Sequence, residues 1–294
     1  MLRIVRRGKR AYYYLAETYR WEGRVRRKEV YLGTSLPANL ALLQADLQRR
    51  VWAETWFPEF EVIRAAWAAL KRTRPDSVVR KAEHDFAIEF TFHSNRIEGS
   101  SLSLDEVALA IDKGVTPSSK SLADVLEARS HAALSERLFR APETIDLSHL
   151  LRWHRELFHQ TKADVAGQLR QYEVRIRGSS FQPPSALEVR PLLLELLRWN
   201  ARQATTAHTV ERAAEFHLRL ERIHPFGDGN GRVGRLAMNV ILVAGGYPPF
   251  NVDVRSRRGY LRALERVEEE GKSRPFVNWF YLHYHRQHKT RTRG

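Results

Sequence analysis

Twelve consecutive residues bring together a base, a carboxylate, alternating glycines and two arginines: His224-Pro225-Phe226-Gly227-Asp228-Gly229-Asn230-Gly231-Arg232-Val233-Gly234-Arg235. Glycine accepts positive φ and lets a ligand approach the backbone. Beyond the glycines, Val233, Leu236, Ala237, Val240 and Ile241 recur at helical spacing, and Gly245-Gly246 then Pro248-Pro249 end that run. A glycine-rich loop therefore feeds a helix N-terminus, where free N–H groups and the positive end of the dipole make an anion site. Arg232 and Arg235 lie three apart and share a face, and guanidinium forks match phosphate oxygens, so the expected anion is a phosphate chain. Asp228 at the same mouth either caps the helix or offers a hard carboxylate to Mg²⁺ that arrives with phosphates. His224 is either structural or a general base for an attacking hydroxyl, and its neighbours favour the base.

The elements that must position this loop are mainly helical. Apolar residues at spacings of three and four predict helices over 39–56, 59–72, 78–95, 103–113, 120–138, 146–159, 186–202, 207–222, 229–244, 255–270 and 273–287. Before them, Tyr12 to Tyr19 and Arg26 to Leu32 are β-rich and flank a turn at Gly23, which predicts a basic β-hairpin within 1–37. Val174-Arg175-Ile176-Arg177 alternates apolar and polar before Gly178-Ser179-Ser180, which predicts a second, short hairpin inside the helical part. The expected organisation is a hairpin at 1–37, a helical region at 38–145, a catalytic core at 146–287 and a basic tail at 288–294.

Composition bounds the remaining possibilities. There are no cysteines, which excludes disulfides and thiolate metal sites and fits a cytoplasmic protein. No apolar run reaches the length of a membrane span. The net charge is +15, with Arg and Lys crowded into the first 28 residues and the last nine, which leaves nucleic acid open as a partner. The tyrosines among those N-terminal arginines suit a dimer surface or a small core equally well.

The loop resembles the signature of the Fic family, His-x-Phe-x-(Asp/Glu)-Gly-Asn-Gly-Arg-x-x-Arg, at every specified position. The likeness extends over roughly 85–285, through Gly167-Gln-Leu-Arg170, Pro183-Pro184, Tyr247-Pro248-Pro249 and Arg274-Pro275-Phe276. It implies a helical bundle that transfers AMP from ATP to a Ser, Thr or Tyr hydroxyl of a protein, with self-modification as one outcome. His224 would be the base, and Asp228 the Mg²⁺ ligand. Gly227, Gly229, Asn230 and Gly231 would cradle phosphates, with Arg232 on the β- and Arg235 on the γ-phosphate. Tyr260 and Glu268 would lie near adenine. Val174, Arg175, Ile176 and Arg177 would form a flap that docks the target backbone. A relative that transfers phosphate carries Lys where this chain has Gly231, which favours AMP.

Upstream, Ser94-Asn-Arg-Ile-Glu98-Gly99 resembles the family's inhibitory pattern, (Ser/Thr)-x-x-x-Glu-(Gly/Asn). Ser94 and Glu98 share a helix face within a segment around 88–99, and Gly99 would end that helix. The resemblance implies that Glu98 pairs with Arg235 and spoils the productive pose of ATP. Two alternatives stay open: the same site removes AMP, or residues 1–37 make the chain a nucleic-acid-binding regulator.

Overall fold

The structure, a computed structural model, describes residues 1–176, 179 and 181–289. The chain divides into two units, Met1–Val62 and Ile63–Gly294.

The first unit is built on an antiparallel sheet in the order β1 (Leu2–Arg7), β2 (Arg10–Trp21), β3 (Arg24–Gly33). The expected hairpin is thus β2–β3, closed by Glu22 and Gly23 at φ 50° and 75°, the two positive values of a tight hairpin turn. The extra strand β1 pairs Leu2 with Leu15 and Arg7 with Arg10. Arginines interrupt its short apolar pattern, and its pairing with β2 makes it a strand. Helix α1 (Leu40–Glu54) packs on β2 and β3. Leu15 is buried, Lys28 is paired with Glu54, and Trp21 meets Trp56 edge-on at 4.9 Å.

After α2 (Trp56–Thr73), the second unit holds α3 (Asp76–Ile97), α4 (Leu104–Asp112), α5 (Leu122–Arg140), α6 (Leu147–Phe158), α7 (Ala186–Gln203), α8 (Thr209–Ile223), α9 (Asn230–Ala244), α10 (Arg257–Glu270) and α11 (Arg274–Lys289). The mainly α reading holds. Starts follow local chemistry: Ser103 and Glu106 form a capping box on α4, and Asp146 accepts from the His149 N–H at 2.8 Å on α6. The 255–270 helix begins as a single 3-10 turn, Val254–Ser256, before α10.

Helix α9 is the axis of this unit. Residues Asn230 to Leu242 are all buried, and α8, α5, α3 and α6 pack around it. Beside it α3 and α5 interlock through aromatic rings, with Phe90 5.9 Å from Phe86, 5.5 Å from Phe139 and 5.0 Å from His131. That packing sets the height of the C-terminal end of α3 against the start of α9.

The short hairpin expected at 174–181 forms no strand ladder among the described residues. Ser179 N donates to Ile176 O at 3.1 Å, which makes a turn between these two residues, and Phe181 N donates to Ser179 Oγ at 3.1 Å. Arg177, Gly178 and Ser180, which form the tip of the expected hairpin, lie outside the described residues.

Phe90 is 1% exposed and joins three rings. We expect Phe90→Ala to destabilise the second unit by about 3–5 kcal/mol, read as a lower urea midpoint.

Candidate active site

Helix α8 ends one residue before the loop. His224 is its C-cap, in the left-handed region at φ 50°, ψ 60°, and its N–H still donates to Leu220 O at 2.9 Å. This conformation costs a non-glycine residue, so the surroundings must enforce it. Arg170 does so. It is 3% exposed, and its Nε donates to His224 O at 2.8 Å. Its remaining nitrogens donate to Tyr172 O and Pro184 O, so one guanidinium ties the histidine turn to both ends of the 173–183 segment.

His224 Nδ1 lies 3.2 Å from Glu221 O. A carbonyl only accepts, so Nδ1 carries the hydrogen and Nε2 keeps its lone pair. Burial lowers the His224 pKa against the raising effect of that hydrogen bond, and Arg170 lowers it further. The ring is therefore a neutral base near pH 7.

The loop is braced from below. Phe226 is fully buried and stacks on His154, with centroids 4.0 Å apart and planes 7° from parallel. Asn230 Oδ1 accepts from Phe226 N at 2.8 Å and Asn230 Nδ2 donates to Phe226 O at 2.9 Å, so its side chain closes the loop on itself. Gly229 is the N-cap of α9 at φ 77°, where a Cβ would strike the Phe158 ring at 2.3 Å. No side chain caps α9, and Asp228 reaches only the adjacent Gly229 N–H, at 2.5 Å. Asp228 is thus no helix cap, and the first turn of α9 keeps the donors an anion needs.

Both signature arginines are already held by carboxylates. Arg235 is 1% exposed. Its Nη2 donates to Glu98 Oε1 at 2.7 Å and Ser94 O at 3.0 Å, and its Nε to Ser94 Oγ at 2.9 Å. Glu98 is the C-cap of α3, and Gly99 ends the helix at φ 105°. A Cβ at Gly231 would lie 2.1 Å from Glu98 Oε1, so only glycine lets this carboxylate stand over the loop. Arg232 turns elsewhere, onto Glu127 of α5 and Asp228, with its guanidinium 4.4 Å from the Phe158 ring centre. Lys162 completes the group, donating to Glu127 at 2.7 Å and lying 2.8 Å from Asp228 Oδ2. Burial pushes the Asp228 pKa up, but Arg232 and Lys162 outweigh it and hold the carboxyl below its ordinary value.

These residues face a cavity of about 700 Å³, large enough for a nucleotide. Glu98, His224, Asp228 and Arg235 line it together with Arg175, Ile176 and Ser179 of the 174–181 segment. Arg232 does not line it. Tyr260 is in the wall but only 2% exposed, and its hydroxyl lies 2.8 Å from His217 Nε2, so it supports the pocket from behind. Glu268 stands at the far end, paired with Arg222 at 2.8 Å. Val174 is half-buried beside the turn. Among the described residues no cluster of three or more His, Asp or Glu could hold a metal ion alone. Asp228, with its side chain 46% exposed, fits Mg²⁺ only as the single protein carboxylate beside phosphate oxygens.

Glu127, Lys162, Glu221 and Arg257 were not foreseen. Glu127 and Lys162 belong to no local pattern. Arg257 donates to Ile97 O at 3.0 Å and closes the cavity beside Glu98. Glu221, one turn before His224, is the one with a signal, because the two share a helix face. Burial raises its pKa to about 8, against the lowering effect of Arg235 and with help from Glu98.

A loop that presents an uncapped helix start, a neutral histidine and the carboxylate-held Arg235 to one cavity defines a helical domain built around an anion-type loop. Residues 144–242 match the model of the Fic/DOC family, so this part of the chain is a Fic/DOC domain. It is 32% identical over 209 residues to the protein adenylyltransferase Fic of Culex quinquefasciatus, covering 69% of this chain and 41% of that protein. It is 30% identical over 213 residues to the protein adenylyltransferase fic-1 of Caenorhabditis elegans, covering 70% of this chain and 41% of that protein. The chain thus spans about two fifths of the length of these relatives. Among solved structures, a Fic-domain signalling protein from Bacteroides thetaiotaomicron superposes with a TM-score of 0.72 at 25% identity, over 80% of this chain and 95% of that one. C. elegans Fic-1 (residues 134–508) gives 0.71 at 24% identity, over 86% and 76%.

The raised Glu221 pKa has a sign that can be checked. Below pH 4.5 the carboxyl is protonated folded or unfolded, and nothing is lost. Between pH 4.5 and about 8 the unfolded chain ionises it while the fold resists, so stability falls with rising pH. Glu221→Gln should therefore raise the melting temperature at pH 8.5 and leave it nearly unchanged at pH 4.5, measured by calorimetry against wild type.

Proposed function

We propose that this protein transfers AMP from ATP to a hydroxyl side chain of a protein, and that Glu98 holds it inactive. The observation that carries the reading is the neutral His224 at the rim of the cavity into which the uncapped start of α9 points. In the proposed reaction the hydroxyl oxygen attacks the α-phosphorus, and His224 Nε2 takes its proton. The bond from that phosphorus to the β-bridging oxygen breaks, and pyrophosphate leaves with the electron pair. The backbone N–H groups of Asn230 and Gly231 and the dipole of α9 stabilise the charge that develops on phosphate oxygens. Asp228 would hold Mg²⁺, which would neutralise part of the charge on the phosphates. Lys162, now on Asp228, would have to share that carboxylate. The segment at 174–181 would receive the target backbone, an extended chain adding main-chain hydrogen bonds along it.

The brake rests on occupancy of Arg235. A γ-phosphate needs the guanidinium that Glu98 and Ser94 hold, and the Glu98 carboxylate would repel it. Glu98 is one third exposed within the same cavity. Removal of AMP is a second use of that site, in which Glu98 accepts a proton from the attacking water. Glu98→Gln keeps the shape but loses the carboxylate, so AMP removal should be abolished while the charge that opposes the γ-phosphate is also gone. No described helix is long and apolar enough to cross a membrane.

The test is the intact mass of purified protein after incubation with ATP and Mg²⁺. Glu98→Gly should gain the mass of AMP, while wild type and Glu98→Gly/His224→Ala should not. A modified double variant would sink the role of His224. In parallel, a non-hydrolysable ATP analogue should raise the melting temperature of Glu98→Gly more than that of wild type. Activity of Glu98→Gly should fall on acidification with an apparent pKa below 6.5, because the lowered His224 pKa keeps the base free until then.

A further inference from the structure

The sheet of the first unit has two unlike faces. Strand alternation puts Leu15, Trp21 and Lys28 on the face that meets α1 and the start of α2. The opposite face carries Tyr12, Tyr14 and Tyr31 at its centre, with Arg3 opposite Tyr14 and Tyr14 opposite Tyr31 across the strands. The rings form one patch, Tyr31 lying 5.1 Å from Tyr14 and 6.4 Å from Tyr12. Tyr31 is 52% exposed, so the patch is a surface and not a small core. Arginines frame it. The Arg3 guanidinium lies 6.0 Å over Tyr14 and that of Arg7 6.0 Å over Tyr12, while Arg20 and Arg27 continue the same face along β2 and β3. Glu29 is the only acid on this face, and Arg3 and Arg27 both hold it. Between Met1 and Gly33 there are ten Lys or Arg against three Asp or Glu.

We propose that this tyrosine–arginine face binds single-stranded nucleic acid. The rings and the guanidinium planes lying over them offer stacking surfaces to unpaired bases, which a duplex keeps buried in its own stack. The flanking arginines meet the phosphates, and excess positive charge draws the strand in. A membrane surface fits less well, because this face offers only a few scattered apolar side chains to insert, Met1, Val5 and Val25, among its arginines. Neither stacking nor phosphate contact reads base identity, so binding is expected to be broad in sequence.

The test uses the full chain and labelled mixed-sequence strands of about 16 nucleotides, as DNA, as RNA and as the DNA duplex, followed by fluorescence anisotropy at roughly 50–200 mM salt. Either single strand should bind about tenfold or more tightly than the duplex, and the tighter of the two identifies the physiological class. Tyr14→Ala/Tyr31→Ala should weaken single-strand binding by about tenfold or more at an unchanged salt slope, and Tyr14→Phe/Tyr31→Phe should restore it. Arg7→Gln/Arg20→Gln should reduce the slope of log K against log salt by about 1.4, the loss of two phosphate contacts. If circular dichroism shows that the alanine pair has lost the sheet, the arginine pair carries the test. Duplex binding as tight as single-strand binding, or variants of either pair that fold and bind like wild type, would overturn the assignment.

Discussion

A guanidinium buried to 1% exposure has to have an anion, because it cannot shed its charge. Much of the second unit follows from meeting that need at Arg235. Helix α3 must be long enough to bring Glu98 to the start of α9, and it must stop there, which Gly99 does. Ser94, one turn earlier, satisfies the guanidinium nitrogen that Glu98 does not reach. Gly231 must lack a side chain, because the carboxylate occupies the space a Cβ would fill. The aromatic packing of α3 on α5 then sets the height at which these parts meet.

The same logic operates on the other side of the loop with different residues. Arg232 is answered by Glu127 and Asp228, and Lys162 balances the second negative charge, so the cluster carries two charges of each sign above the Phe158 ring. The loop between the two guanidinium groups is kept open by its own backbone: Asn230 closes it on Phe226, Arg170 pins the strained His224, and no side chain spends the free donors of α9. Charge is paired everywhere around a short stretch of main chain whose donors are left without a protein cap.

What could be read in the chain beforehand divides along physical lines. Helices came through because periodicity over ten or more residues is a summed signal, and α5 to α9 agree with their expected spans to within two residues or so. The loop was legible because its glycines, histidine and arginines are contiguous, and Ser94 with Glu98 because four-residue spacing is enough on a helix. Glu127 and Lys162 were illegible because their partners lie 105 and 66 positions away along the chain, and only tertiary packing gives them meaning. Strand β1 was missed because its pattern is weak until β2 lies beside it. Tyr260, expected near adenine, lies in the cavity wall with its hydroxyl on His217, a contact 43 positions away that no local pattern announces.

The order of the partners along the polypeptide has a consequence for biosynthesis. Glu98 precedes Arg235 by 137 residues, so α3 has been made and has left the ribosome well before the loop at 224–231 is translated. Chains fold in the direction in which they are made, domain by domain. The acidic partner is therefore waiting when the arginine emerges, and the newborn protein passes through no stage in which a finished loop lacks its carboxylate. A permuted chain that began at the loop and carried α3 last would reverse that order, and each molecule would spend the interval between the two events with its binding loop complete and unopposed.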